Sequence, residues 1–485
     1  MRKNTQPAKK GYFFGQGFKD IGTAIKESWI KNAQTSKGYY TKYSECGLMS
    51  FKGIFYLFCA MSVVSFGTVF FVLISALMLL VVAVLFVLVY IGFMLVWLAD
   101  RLYLTRMKIF TACHECKSKF LIPIYICPKC GAKHTNLTPG VYGILHRTCN
   151  CGEKLPTTFF NGRKKLEAIC PECLADGRTT ILNDRESRPF CIPVVGGRSV
   201  GKTAYITAFS HMFIEKIAPE HGLEIEFYNN SKSSIYKEIT ADYEHGSTRM
   251  TTRPQNISQA SSISFSFFVK HKSLHPERLV HIYDIAGEVF TDNSENEVQK
   301  QYKYCQGIIF IIDPFAIPSV RARYGNMLTL EDKAGIGKAD INGIINVFIN
   351  KLHQVTGLSD NRMSDIPVAI LISKTDSAGL SDEFSEEKIK AVNEKFPESD
   401  RNDAIDYLCR HFLKEHSMEG FMNAINMKFK NHRFFAVSAI GHTRDAGRYN
   451  PVGVLEPMEW LCSFADKKFS SLWCEHSFSS RPIQE

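Results

Sequence analysis

The chain has 485 residues, a formal net charge of +10 and fifteen cysteines. That length allows several domains of about 100–200 residues each. A composition 45% hydrophobic and 22% charged excludes a disordered chain and can supply a sizeable core. The cysteines point either to disulfides or to thiols and metal sites, and the positive charge to an acidic partner, nucleic acid or lipid.

Residues 1–52 carry ten Lys/Arg against Asp20, Glu27 and Glu45, a local charge of +7 (ten minus three). Phe14, Phe18, Ile21, Ile25 and Trp29 recur at helical spacing, with Lys19, Lys26 and Lys31 between them. Residues 1–51 therefore read as a basic amphipathic segment at an anionic lipid surface, with a helix packing on the soluble domains as the alternative. From Gly53 to Ala99 no residue is charged, a run of 47. As one helix it would reach about 70 Å, whereas a bilayer core needs only about 20 residues. The expectation over 52–100 is a transmembrane hairpin with spans near 53–74 and 78–97 and its turn near Ser75 and Ala76. Arg101, Arg106, Lys108, Lys117 and Lys119 make the far flank basic too. Both flanks should then face the cytoplasm, giving an integral membrane protein with soluble domains on the cytoplasmic face.

Residues 101–185 carry Cys113-x-x-Cys116, Cys127-x-x-Cys130, Cys149-x-Cys151 and Cys170-x-x-Cys173. Zn²⁺ takes four soft ligands in a tetrahedron, and two short knuckles supply them. Gly131 permits the turn after Cys130. Two zinc-ribbon-like modules follow, one from the first four cysteines and one from the last four. His114, His134 and His146 are alternative ligands. Disulfides fit a cytoplasmic orientation poorly, and a redox Cys-x-x-Cys does not explain two paired sets. The ribbons read as spacers or protein-docking modules, with nucleic acid the less favoured partner.

Phe190–Val195 is an apolar, strand-like run leading into Gly196-Gly197-Arg198-Ser199-Val200-Gly201-Lys202-Thr203, then a helical stretch ending before Pro219. This is a P-loop in its strand–loop–helix setting. Backbone N–H groups freed by the glycines approach phosphate oxygens, Lys202 reaches the β/γ-phosphates, and Thr203 binds Mg²⁺. Leu279–Tyr283 reads as a strand into Asp284-Ile285-Ala286-Gly287-Glu288. Val368–Ile372 reads into Ser373-Lys374-Thr375-Asp376, and Phe434–Val437 into Ser438-Ala439-Ile440. Asp284 can hold Mg²⁺ through water, and Gly287 lets a backbone N–H meet the γ-phosphate.

These ordered motifs resemble those of Ras-like (TRAFAC-class) GTPases over about residues 188–475. The resemblance implies an α/β fold, a P-loop G domain over 186–485 with a mostly parallel, doubly wound sheet. It also implies that Asp376 accepts two hydrogen bonds from guanine, that Lys374 lies along the base, and that backbone beside Ser438 and Ala439 meets the guanine carbonyl. Ser373 departs from the usual Asn or Thr and reaches less far. Glu288 stands where such enzymes often place a water-orienting Gln; it could polarise water or repel the γ-phosphate. Lys202 to Asp284 spans 82 residues, about twice the compact distance. The extra length includes a possible strand at Glu224–Phe227 and a helix near 231–243. Thr252 is the first choice for a Thr that closes on Mg²⁺, Thr251 the second, and Arg249 stands where a cis arginine would. Ser264–Val269 and Leu279–Tyr283 read as a hairpin, Gly307–Ile312 before Asp313-Pro314 as a buried strand, and a charged helical insert falls near 381–430. Together with the cysteine knuckles, this resembles bacterial proteins called double-GTPase type 2.

The reading is a membrane-anchored GTPase that binds GTP–Mg²⁺ and hydrolyses it. Zn²⁺ sits in the ribbons, and the partners are guanine nucleotide, a lipid bilayer and a protein or second GTPase. Lys202, Thr252, Glu288 and Arg249 are the catalytic candidates. The alternatives are a non-hydrolysing GTP-gated scaffold and an ATP-dependent P-loop protein; Asp376 argues against the latter.

Overall fold

The structure, a computed structural model, describes residues 6–47, 50–182, 186–244, 264–285, 300–328, 333, 336–337, 340–359, 362–441, 449–476 and 478. The chain forms two compact units, Met1–Arg106 with Ile122–Pro171, and Met107–Leu121 with Glu172–Glu485.

In the first unit a helix over Gln16–Cys46 precedes one over Phe51–Arg106, which is long and apolar enough to cross a membrane. The latter passes unbroken through Ser75 and Ala76, with a single π turn at Val63–Gly67. The expected turn there does not form. Neither residue breaks a helix, and no Gly or Pro stands nearby to do so. The helix that folds back on the apolar one is instead the basic amphipathic segment. Phe14 meets Phe86 and Tyr90 edge to face and Phe93 at a tilt, while Trp29 meets Phe71 and donates to Ser75 Oγ at 3.3 Å. Tyr39 stacks on Tyr56. The apolar stripe thus lies against a helix of the same chain, not on a lipid surface alone. The antiparallel arrangement brings residue 14 beside residue 93, so the N-terminal residues lie at the Arg101 end, while Lys42 and Lys52 lie at the opposite end of the long helix, and the two basic flanks do not share one end.

The Arg101 end carries a small β module. Ile124–Ile126 pairs antiparallel with Lys133–His134 and with Ala168–Ile169, and His146–Thr148 pairs with Lys154–Pro156. Asp100, buried near the end of the long helix, accepts from Phe159 N at 2.9 Å and from Arg163 Nη1 at 3.0 Å. Two buried opposite charges with these hydrogen bonds set the module against the helix. Lys9 N donates to the Thr148 carbonyl and Asn150 N to the Pro7 carbonyl, tying down the N-terminal segment.

The second unit is built on a seven-stranded sheet. We number its strands β1 (Arg188–Gly196), β2 (Glu224–Phe227), β3 (Ser264–Lys270), β4 (Arg278–Asp284), β5 (Ile308–Ile312), β6 (Val368–Ile372) and β7 (His432–Ala436). The order is β2-β3-β4-β1-β5-β6-β7. Strands β4, β1, β5, β6 and β7 run parallel, and β2 and β3 extend the edge antiparallel. The Glu224–Phe227 strand and the β3–β4 hairpin form as their sequences suggest. Alternate residues of β5 enter opposite layers: Ile308, Phe310 and Ile312 in one, Ile309 and Ile311 in the other. Burial on both faces is why these strands read as unbroken apolar runs.

Helices cover both faces. Lys202–Met212, Glu456–Ala465 and Lys467–Trp473 pack on one; Ile341–Thr356, Arg401–Glu415 and Glu419–Lys428 on the other. Ile389, Ile405, Cys409, Phe412, Phe421 and Ile425 are buried in that second layer. The charged stretch near 381–430 is therefore largely a core layer of the domain; Asp403 and Asp406 are buried and paired with Arg433 and Arg410.

Candidate functional site

Parallel pairing brings the C-terminal ends of β1, β4, β5, β6 and β7 to one edge of the sheet, where α/β domains bind ligands. The loop after β1 depends on its glycines. A Cβ on Gly196 would stand 2.5 Å from the Ile311 carbonyl oxygen, and Gly201, at φ 91°, takes a left-handed turn before the helix. Ser199 shares that region at φ 62°. The loop curls over Lys202, which is buried and donates to the carbonyls of Gly196 at 3.1 Å and Gly197 at 2.6 Å. Thr203 Oγ1 donates to Asp284 Oδ2 at 2.7 Å. Burial raises the Asp284 carboxyl above the usual range, against the Lys202 charge and the Thr203 hydrogen bond. Hydroxyl and carboxylate oxygens side by side suit a hard divalent cation.

The other half of the edge gathers the later motifs. Ser373 Oγ lies 2.9 Å from both the Val200 and Ile312 carbonyl oxygens, clamping the β6 loop onto the P-loop. Its expected shorter reach is compensated because β6 ends directly beside the loop. Lys374, at φ 54°, extends its ammonium to Asp313 Oδ2 at 2.6 Å. Ser438 Oγ donates to Asp376 Oδ1 at 2.5 Å and accepts from Gly441 N at 2.8 Å. The Ala439 carbonyl accepts from Tyr243 Oη at 2.6 Å. Asp313 was not singled out in the sequence. Its signal was available: an acidic residue at the end of a buried strand, as Asp284 is. Arg249, Thr251, Thr252, Gly287 and Glu288 lie outside the described residues.

The cysteines assemble differently from the expected grouping. Cys113, Cys116, Cys170 and Cys173 form one quartet, and Cys127, Cys130, Cys149 and Cys151 the other; within each, all sulfurs lie within 4.8 Å of one another. The outer knuckles meet because the Ile124–Ile126 strand pairs with Ala168–Ile169, just before Cys170. Cys113–Cys173, Cys127–Cys151 and Cys130–Cys149 are separated by 3.7, 3.6 and 3.6 Å. A tetrahedron of sulfurs about 2.3 Å from a metal has edges of about 3.8 Å, so both quartets could hold an ion. His114, His134 and His146 belong to neither quartet.

Residues 191–419 match the family model described as Double-GTPase 2. Solved structures that the chain resembles include the Arl6 BBS3 small GTPase from Trypanosoma brucei, with a bound nucleotide analogue. It is 10% identical over 58% of this chain and 99% of that one, with a TM-score of 0.25. Roco2 RocCORdC from Methanosarcina barkeri, bound to GDP, is 13% identical over 57% and 50%, with a TM-score of 0.21. The S. cerevisiae Ski7 GTPase-like domain, bound to GTP, is 12% identical over 52% and 43%, with a TM-score of 0.24. The chain thus spans half or less of the last two. No curated protein matches it.

Proposed function

We propose, because residues 191–419 match the Double-GTPase 2 family model, that the chain binds GTP–Mg²⁺ and hydrolyses it to GDP and phosphate. One observation carries the reading: Lys202, the Thr203–Asp284 pair, Lys374, Asp376 and Ser438 gather at one sheet edge. Lys202 and the backbone N–H groups of Gly197, Ser199, Val200 and Gly201 hold the phosphates. Thr203 and Asp284 are the residues that would hold Mg²⁺, which neutralises charge on the phosphates. Asp376 selects guanine, because adenine lacks the donors its carboxylate needs. Ser438 keeps that carboxylate in place. Gly287 serves the γ-phosphate, Glu288 the attacking water, and Thr252 and Arg249 the developing charge. This last group rests on motif order alone.

Three further parts belong to the proposal. The long apolar helix anchors the chain in a bilayer, with its Arg101 end and the soluble domains on the cytoplasmic side. At 56 residues it is about 84 Å long, so only part of it lies in hydrocarbon. The two quartets each hold Zn²⁺. Exchange of GTP for GDP changes what a protein partner or a second GTPase can bind.

The test compares GTP and ATP hydrolysis by the full chain in lipid vesicles, with Asp376→Asn alongside. Guanine-selective turnover, and a shift of that variant towards xanthine nucleotide, is the expected result. Equal use of ATP defeats the guanine assignment. A second reading, a GTP-gated scaffold with negligible turnover, is favoured by the acidic Glu288. Single-turnover hydrolysis, with and without vesicles, separates the two.

A further inference from the structure

Asp313 closes β5 with a side chain that has no exposure to solvent. A buried carboxylate is costly unless charge and hydrogen bonds compensate it. Oδ1 accepts from Phe315 N at 3.0 Å. Oδ2 accepts from Lys374 Nζ at 2.6 Å and from Gly337 N at 3.4 Å. Gly337 in turn lies against the P-loop: a Cβ there would stand 2.9 Å from the Arg198 carbonyl oxygen. One carboxylate therefore links β5, the β6 loop and a segment resting on the P-loop.

We infer that Asp313 is a positioning residue for guanine affinity, acting through Lys374; this rests on the GTP-binding reading above. The Lys374 backbone is fixed at its root, since its neighbour Ser373 bonds the Val200 and Ile312 carbonyls. Its ammonium is fixed at the tip by Asp313. A four-carbon stem pinned at both ends is already extended before a base arrives. Lysine is among the side chains with most rotamer freedom to lose, so pinning lowers the ordering cost of binding. The charge-assisted bond also keeps the ammonium from bonding the phosphates instead. Asp376 reads the edge of the base; Asp313, through Lys374, readies the surface along its face.

The experiment uses the full chain in detergent or vesicles and a GDP titration in excess Mg²⁺. Asp313→Asn keeps the side chain's size and one acceptor oxygen, for Phe315 N, but removes the charge that holds Lys374, and should weaken GDP about tenfold, or about 1.4 kcal/mol. Adding Lys374→Met should then cost less than about twofold, because an unpinned lysine no longer contributes. Neither protein leaves a buried carboxylate unpaired, and Asp313→Ser gives the same comparison if the Asn form does not fold. A further tenfold loss on adding Lys374→Met would show that Lys374 works without Asp313, and would overturn the inference. So would Asp313→Asn binding within twofold of the parent, while the parent still prefers GDP to ADP. A parent that binds ADP as tightly as GDP overturns the function reading and this inference with it.

Discussion

Thr203 Oγ1 donates to Asp284 Oδ2 at 2.7 Å, joining the first turn of the P-loop helix to the end of β4 across 81 residues of sequence. The parallel register that sets Asp284 opposite Val194 makes this contact possible. If this pair holds Mg²⁺, then Asp284→Asn should remove most of the gain in GDP affinity on adding Mg²⁺, a loss of about tenfold. Affinity in EDTA should change little. Titration of a fluorescent GDP analogue with and without Mg²⁺ checks both statements.

Ser373 ties the segment after β6 to the P-loop and to the end of β5. Ser373→Ala removes the only donor to the Val200 and Ile312 carbonyls from this side chain. The cost of one such bond, about 1 kcal/mol, corresponds to about a fivefold weaker affinity for GDP. A GDP titration beside a thermal melt separates loss at the site from general destabilisation; an affinity equal to the parent's would sink the clamp.

The quartets predict which cysteine pairs share an ion. Purified protein should carry about two equivalents of Zn²⁺ by elemental mass spectrometry. Cys113→Ser with Cys173→Ser should lose one equivalent. Cys113→Ser with Cys127→Ser should lose both, because each change falls in a different quartet. The reverse pattern would restore the grouping by sequence order.

His281 is held neutral. Burial, then the nearby charges of Lys117, His114 and Lys232, push its pKa down to about 3 from 6.5. Its Nδ1 lies 2.7 Å from Ser266 Oγ. The unfolded chain binds this proton more readily, so His281 contributes stability that is full above about pH 6.5 and is lost progressively as pH falls towards 3. The melting temperature of the second unit should therefore drop between pH 6.5 and 4. His281→Gln should make that drop shallower, and an unchanged slope in the variant would assign the acid sensitivity elsewhere.

The local signals in this chain were strong because each is carried by contiguous residues. The glycine spacing of the P-loop, an unbroken apolar run into it, and strands closing on Asp284, Ser373 and Ser438 need only a few neighbours to be read. Motif order then placed these groups on one sheet edge, since a parallel sheet aligns its strand ends. The long uncharged stretch likewise announced an apolar helix.

Partnership between distant segments was a different matter. Four Cys knuckles are equivalent as sequence. Pairing of the Ile124–Ile126 strand with Ala168–Ile169 determines that Cys113 and Cys116 meet Cys170 and Cys173. The fold-back of the Gln16–Cys46 helix, in place of a turn at Ser75, depends on aromatic contacts between residues far apart in sequence, 42 for Trp29 on Phe71 and 79 for Phe14 on Phe93. Asp313 read as the end of a buried strand and became a partner of Lys374 only when β5 and β6 lay side by side. Residue identity alone determined which groups could do chemistry. Chain closure over tens of residues, whose outcome no local pattern encodes, decided which of them meet.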